Sequence, residues 1–160
     1  MDPAIFDTKA VIDRFSEEPA VKALGELVTS AKYDREELSI TVAGESIVVS
    51  CEALRSAGYN FMEDVTAVDW YPSEPRFQVV YHFLSHSLKR RIRLIVRLDS
   101  NDASIASITP TWPAANFYER EVFDLFGINF PGHPNLRRIM MPEDWNGHPL
   151  RKDYPVEGYR

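Results

Sequence analysis

From Glu119 onward the chain changes character, and the change limits where regular structure can lie. Residues 119–127 (EREVFDLFG) have helical spacing and end on a glycine. Beyond Gly127 no period of 2 or 3.6 survives. The run from Glu119 to Pro155 holds five of the chain's eleven prolines and five of its eighteen Lys and Arg residues. Proline removes a backbone donor and interrupts both helices and central strands. The tail therefore has to be irregular, and repeating elements belong to the first part of the chain, through Phe126. Long irregular segments of compact proteins are usually functional or disordered. Phe130, Leu136, Ile139, Met140, Met141, Trp145, Leu150 and Tyr154 argue against disorder, because segments that stay unfolded are poor in such residues. The domain's own surface, a partner, or both must order this stretch.

A chain of 160 residues is most simply one domain and buries roughly 70% of its unfolded surface, enough to fold without a disulfide or metal. Residues 1–126 read as an α+β domain with a helical N-terminal segment over 1–30. Residues 127–160 read as an extended docking arm rather than a second domain. The net charge of −6 disfavours general nucleic-acid binding. The single Cys51 fits a reducing compartment and cannot by itself ligate an iron–sulfur cluster, which takes about four Cys. No apolar run approaches the ~20 residues of a membrane helix, and the first residues lack the basic and apolar regions of a signal peptide.

Periodicity supplies the elements. Residues 3–29 have helical spacing interrupted by Pro19, with Asp2-Pro3 as a cap. Glu37–Ala43 alternates as a strand. Glu45–Ala57 reads two ways: Ile47-Val48-Val49 is β-like, but Ile47, Cys51 and Leu54 at i, i+4 and i+7 and the Gly58 that follows favour a helix. Phe61–Tyr71 and Arg76–Leu84 read as strands. Leu88–Leu98 has the clearest alternation, with Leu88, Ile92, Leu94, Val96 and Leu98 on one face and Lys89, Arg91, Arg93 and Arg97 on the other. Thr111 is a candidate cap for a helix running to Phe126. Strands grouped as a meander with flanking helices predict an α+β fold: a single mixed or antiparallel sheet, helices packed on it, and a long irregular C-terminal arm.

No catalytic constellation accompanies these elements. Glu119, Glu121 and Asp124 could form an acid/base group, but no nucleophile or oriented base stands near them in the sequence; a charged helix face that pairs elsewhere is the plainer reading. Arg120 and Asp124 stand at i, i+4. His82 and His86 would lie about 13 Å apart along a strand, too far to share an ion. His133 and His148 sit in a repeated Gly-His-Pro triplet that reads as a turn with the imidazole bonded to local backbone. The basic strand face could meet nucleic acid, or could pair with acidic groups. Glycine-rich nucleotide loops and a nucleophile elbow are absent. The tail is instead rich in residues favoured at interfaces: Arg137, Arg138, Met140, Met141, Trp145, Arg151 and Tyr154.

Glu119-Arg120-Glu121, two residues, Asp124-Leu125-Phe126, six residues, His133, three residues, then Arg137-Arg138-Ile139 resembles a family signature. The family is the thirty-kilodalton or C subunit of NADH:quinone oxidoreductase, respiratory complex I. The flanks agree: Trp112–Asn116 before it, Pro142–Trp145 and Gly147–Pro155 after it, and Asp64–Trp70 and Arg91–Leu94 upstream. The resemblance implies a non-catalytic subunit of the complex's hydrophilic arm, peripheral on the cytoplasmic side of the cell inner membrane. It implies no cofactor on this chain, with FMN and Fe-S clusters held elsewhere in the complex. It also implies packing against the D (forty-nine-kilodalton-like), B and I subunits. The C and D subunits are fused in some bacteria; a chain stopping soon after Tyr154 reads as the unfused form. On this reading the tail docks on a partner through Glu119, Arg120, Glu121, Asp124, His133, Arg137, Arg138, Trp145, His148, Arg151, Lys152 and Tyr154. Homologous subunits of a ferredoxin-driven photosynthetic-type NDH or an energy-converting hydrogenase would look similar. A free-standing nucleic-acid or metal-binding domain is the distant alternative.

Overall fold

The structure, a computed structural model, describes residues 4–158. The expected Asp2-Pro3 cap and the last two residues of the tail lie outside that range. In chain order the elements are α1 (Thr8–Arg14), α2 (Pro19–Leu24), β1 (Val28–Asp34), β2 (Glu37–Val42), α3 (Ile47–Ser56), β3 (Phe61–Asp69), β4 (Phe77–Ser85), β5 (Arg90–Leu98) and α4 (Ala115–Phe126). The five strands form one mixed sheet in the order β1-β2-β5-β4-β3. Only the central β2–β5 pair is parallel. The fold is α+β, as the pattern of elements predicts.

Register explains the alternation. The row Ala31–Ile40–Leu94–Tyr81–Val65 crosses all five strands, and every member is buried. One residue along, the row Lys32–Ser39–Arg93–His82–Asp64 crosses the opposite face and is polar throughout. A slip of one residue would exchange the two rows, so burial fixes the register. Helices complete the core: α1 lies against β1, α4 against β3, and α2 packs on α3. Helix α3 buries Ile47, Cys51 and Leu54, the three residues its spacing singles out.

Three sequence expectations need correction, and one open alternative is decided. The N-terminal segment is not helical through residue 30: helix ends at Leu24, a short 3-10 turn spans Gly25–Leu27, and Val28–Asp34 is a strand. Its sequence, VTSAKYD, mixes the strand formers Val28, Thr29 and Tyr33 with four residues of low strand preference; pairing with β2 on one side and the Ile5–Tyr33 bridge on the other holds it extended. Thr111 does not cap α4. Ala114 stands at that position without a side-chain bond, and the Thr111 hydroxyl faces Glu52 instead. Leu88 lies in the β4–β5 turn and is exposed rather than in the buried row. The basic face of β5 is largely neutralised within the chain: Arg91 pairs with Glu63 at 2.7 Å and Arg93 with Glu37.

The β1–β2 hairpin turns through Arg35 and Glu36, with φ of 52° and 64°. A two-residue turn of this hand suits Asn-Gly, because residues with a Cβ resist positive φ at about 1–2 kcal/mol each. Replacing Arg35-Glu36 by Asn-Gly is expected to stabilise the chain by about 1–2 kcal/mol on that account, read as a rise in the urea midpoint with an unchanged slope.

Candidate functional site

The tail is not a free strand; it is the C-terminal cap of α4. An α-helix leaves its last four carbonyls without intrahelical partners. In α4 those belong to Phe123, Asp124, Leu125 and Phe126, and the helix has no basic residue in its last turn. Gly127, in the left-handed region at φ 71°, donates its N–H to the Phe123 carbonyl at 2.8 Å. The Asp124 carbonyl accepts from Arg138 Nη1 at 3.1 Å and from His148 Nδ1 at 2.8 Å. The Leu125 carbonyl accepts from the Leu150 N–H at 3.0 Å, and the Phe126 carbonyl from Arg151 Nε at 2.5 Å. Two guanidinium groups thus sit at the negative end of the helix dipole. A Cβ on residue 127 would stand 2.5 Å from His148 Nε2 and 2.6 Å from Arg151 Nη2, so glycine serves both the backbone angle and the close approach.

The Asp124 side chain makes the second pin. It is fully buried, with Arg138 Nη1 at 2.6 Å on Oδ1 and the N–H groups of Ile139, Met140 and Met141 on Oδ2 at 2.7–2.9 Å. Burial alone would push this carboxyl up; the Met141 N–H, Arg138 and the other two amides outweigh it and hold it below the usual range. Arg138 Nη2 also binds the Trp145 and Gly147 carbonyls, both at 3.0 Å. Arg120 does not pair with Asp124 but donates to the carbonyls of Arg137 and Arg138.

A third pin lies at the end of β3, one residue along the tail from Arg151. Asp69, buried at the end of β3, accepts Arg76 Nε and Nη2, both at 2.9 Å, and the Tyr71 and Lys152 N–H groups. Arg76 reaches on to Asp153 at 2.6 Å. Burial opposes ionisation of Asp69, yet Arg76 and the two amides hold its carboxyl at about 2. The Arg76 guanidinium also stacks between Tyr71 and Phe77, 4.9 Å from each ring.

The remaining sequence candidates fall into place around these pins. Glu119 is fully buried and holds Ser107, Ile108 and Thr109. His133 Nε2 meets the Asn116 carbonyl, and its Nδ1 accepts from the Asn135 N–H. His148 is held below the ordinary histidine range by burial, with Arg151 and Arg138 adding repulsion and the Asp124 carbonyl opposing. Lys152 lies 6.0 Å over Trp70, and Tyr154 is half-buried. Glu121 and Arg137 are exposed, and their side chains join none of the pins. Sequence reasoning missed Asp69, Arg76 and Asp153. Their signal was opposite charges flanking the proline loop 70–75, with a third charge in the tail. His82 bonds Asp64 and Arg93 rather than a metal site, and no group of three metal-ligating side chains occurs among the described residues.

Arg138→Ala would leave Asp124 buried without its cation, a change of the class that costs about 3–5 kcal/mol; chemical denaturation of the purified chain reads it. The acid limb of stability follows from Asp69 and Asp124, both depressed in the folded state. Their contribution is complete above the ordinary carboxylate range and is lost as pH falls through the folded values, toward about 2 for Asp69. Asp69→Asn is expected to flatten the pH dependence of Tm below about pH 4.

Known proteins match most of the chain. The family described as "Respiratory-chain NADH dehydrogenase, 30 Kd subunit" matches residues 40–160. The chain is 49% identical over 144 residues to the C subunit of NADH-quinone oxidoreductase from Citrifermentans bemidjiense, covering 87% of this chain and 89% of that one. It is 47% identical over 137 residues to the C subunit from Roseiflexus sp. (strain RS-1), covering 84% and 79%. Among solved structures, it resembles the trypsin-resistant fragment (1-134) of Nqo5 at 30% identity and TM-score 0.66, covering 78% of this chain and 98% of that one. A chain of the archaeal membrane-bound sulfane sulfur reductase, a respiratory membrane complex, is 28% identical with TM-score 0.76, covering 88% and 86%. The chain therefore belongs to the respiratory-chain NADH dehydrogenase 30 Kd subunit family, whose members include the C subunits of NADH-quinone oxidoreductase.

Proposed function

We propose that the chain is a structural, non-catalytic subunit of the hydrophilic arm of proton-translocating NADH:quinone oxidoreductase. In this reading it lies peripherally on the cytoplasmic side of the inner membrane and packs against the D, B and I subunits. Those neighbours and the rest of the complex carry electrons from NADH through FMN and Fe-S clusters to quinone; this chain shapes and holds the assembly. No helix of the described residues is long and apolar enough to cross a membrane, so contact with the membrane would run through the complex.

One observation carries the proposal. The tail turns Arg138 and Arg151 inward and Met140, Trp145 and Leu150 outward. Arg138 and Arg151 are taken up by α4, whereas Met140 is 59% exposed, Leu150 51% and Trp145 41%. Exposed apolar groups on a backbone held by hydrogen bonds are what an interface needs, because little ordering entropy remains to be lost on docking. The anchors that meet a partner are therefore Met140, Trp145 and Leu150, with Arg137 beside them, and Arg138 and Arg151 support them from beneath.

The likeness to a chain of the sulfane sulfur reductase supports a second reading, in which the parent is a related membrane-bound complex other than NADH:quinone oxidoreductase, such as a ferredoxin-driven photosynthetic-type NDH or an energy-converting hydrogenase. The 47–50% identities to NADH-quinone oxidoreductase subunits favour the first. Met140→Glu combined with Trp145→Asp is expected to leave the isolated chain within about 0.5 kcal/mol of its normal stability, as for most surface changes. The same variant should lose co-purification with the D subunit from detergent-solubilised membranes. Retained co-purification overturns the docking surface, and a native complex that fails to oxidise NADH overturns the choice of parent.

A further inference from the structure

Helix α4 carries two fully buried carboxylates, Glu119 and Asp124, and their surroundings are opposites. Asp124 faces groups that can only donate: three backbone N–H groups and a guanidinium. Glu119 faces no cation among its bonded neighbours. Its Oε1 accepts the Ile108 N–H at 2.8 Å. Its Oε2 lies 2.5 Å from Ser107 Oγ and 3.1 Å from Thr109 Oγ1, and the two hydroxyls are 2.8 Å from each other.

A hydroxyl either donates or accepts, so this set does not demand a negative charge. With a carboxylate, both hydroxyls donate to Oε2. With a carboxylic acid, Oε2–H donates to Ser107, Ser107 donates to Thr109, and Thr109 donates back to Oε2. The three contacts need three hydrogens, so the ring closes only with the acid; with a carboxylate the Ser107–Thr109 contact is left without one. Oε1 keeps a lone pair for the Ile108 N–H in both states.

Among the groups farther out, His133 alone acts as a counter-charge, and it ranks below the hydrogen bonds among the causes that lower the Glu119 carboxyl. Its Nδ1 accepts the Asn135 N–H and its Nε2 meets the Asn116 carbonyl. Cys51 from α3 and Tyr81 from β4 are buried acids, and burial pushes both up, so they stay neutral. Arg120, next in the chain, gives its guanidinium to the carbonyls of Arg137 and Arg138. Burial without a bonded cation favours the neutral form. For Glu119 burial pushes the carboxyl up, and the bonds from Ser107, Ile108 and Thr109, with His133, only partly offset it.

We propose that Glu119 is a proton-binding site, which keeps a carboxylic-acid proton, closed into a ring with Ser107 and Thr109, at pH values where the chain's exposed carboxylates have lost theirs. Its linkage is opposite in sign to that of Asp69 and Asp124. A carboxyl raised in the folded state contributes stability that is complete below its unfolded value and is lost as pH rises through the folded one. The place affected is defined: the Ile105 and Ser107 N–H groups bond the Asn129 and Pro131 carbonyls, so the loop that Glu119 holds also holds the root of the tail. Loss of the proton would loosen that root from the alkaline side.

The full chain carrying 13C at every Glu carboxyl is followed by NMR across its pH range of stability. One resonance, missing in Glu119→Gln, is expected to titrate at higher pH than those of the exposed glutamates. Titration with or below them overturns the proposal. A second measurement does not depend on that variant folding. In the wild-type chain, with exposed carboxylates ionised, infrared spectra are expected to retain a deuterium-sensitive carboxylic-acid C=O band. Ser107→Ala should move that band, because the acid proton loses its acceptor. Absence of the band, or a band that Ser107→Ala leaves in place, overturns the ring.

Discussion

The organisation of this chain rests on the C-terminus of α4. Its four terminal carbonyls need donors, yet the helix has no basic residue in its last turn and stops at a glycine. Gly127 serves the Phe123 carbonyl, and the donors for the other three come from Arg138, His148, Leu150 and Arg151. A segment that supplies them must double back across the end of the helix. Gly127 starts the reversal, and its missing Cβ makes room for the His148 and Arg151 side chains that return to the same spot. The order of the tail is thus a consequence of helix capping, carried out over a longer distance than the usual one or two residues.

Charge then sorts the tail's side chains into two sets. Buried carboxylates need partners, and Asp124 and Asp69 obtain them from Arg138, Arg76 and backbone amides. This draws the tail's backbone and its arginines toward the domain. Apolar burial helps at the root, where Ile128 and Phe130 are in the core and Leu136 and Met141 pack against it. Farther along, polar groups are inside and Met140, Trp145 and Leu150 outside. Polar bonds to buried charge order the part of the segment that apolar burial does not reach.

Much of the domain is legible in the sequence because its elements are periodic. The alternation of β5 and the i, i+4, i+7 spacing of α3 report which face is buried, and the structure buries those faces. Strand β1 is not legible: Ala31 and Lys32 carry no strand preference, and their conformation comes from pairing with Ile40 and Ser39. Thr111 suggests too early a start for α4 because it has the chemistry of a cap, while here its hydroxyl is turned to Glu52. In the tail, composition marks the residues that matter without saying which way they point. Arg138 and Trp145 both belong to the residue types favoured at interfaces, yet one is bound to Asp124 and the other is exposed. Only the position of α4's carbonyls separates them, and that is a property of the folded helix. Glu119 and Asp124 likewise read as one charged helix face. They are two buried sites of opposite character, divided by whether their neighbours are amides or hydroxyls.

Ordering the tail before docking matters because the entropy involved is large. Fixing the backbone costs about 1–2 kcal/mol per residue. If the ~14 residues from Arg138 to Arg151 were ordered only on meeting a partner, the backbone alone would cost about 14–28 kcal/mol. A nanomolar complex has a net free energy of only about −12 kcal/mol. An interface made by a few exposed side chains could not offset that cost and still bind. Hydrogen bonds to α4, Asp124 and Asp69 move the ordering into the folding step, where the core of the domain supports it. On the proposed docking, what remains for the partner is desolvation of the exposed Met140, Trp145 and Leu150 side chains, which is favourable at about 25 cal/mol per Å². The three pins would then be what lets so few side chains suffice, because the ordering they impose is complete before a partner arrives.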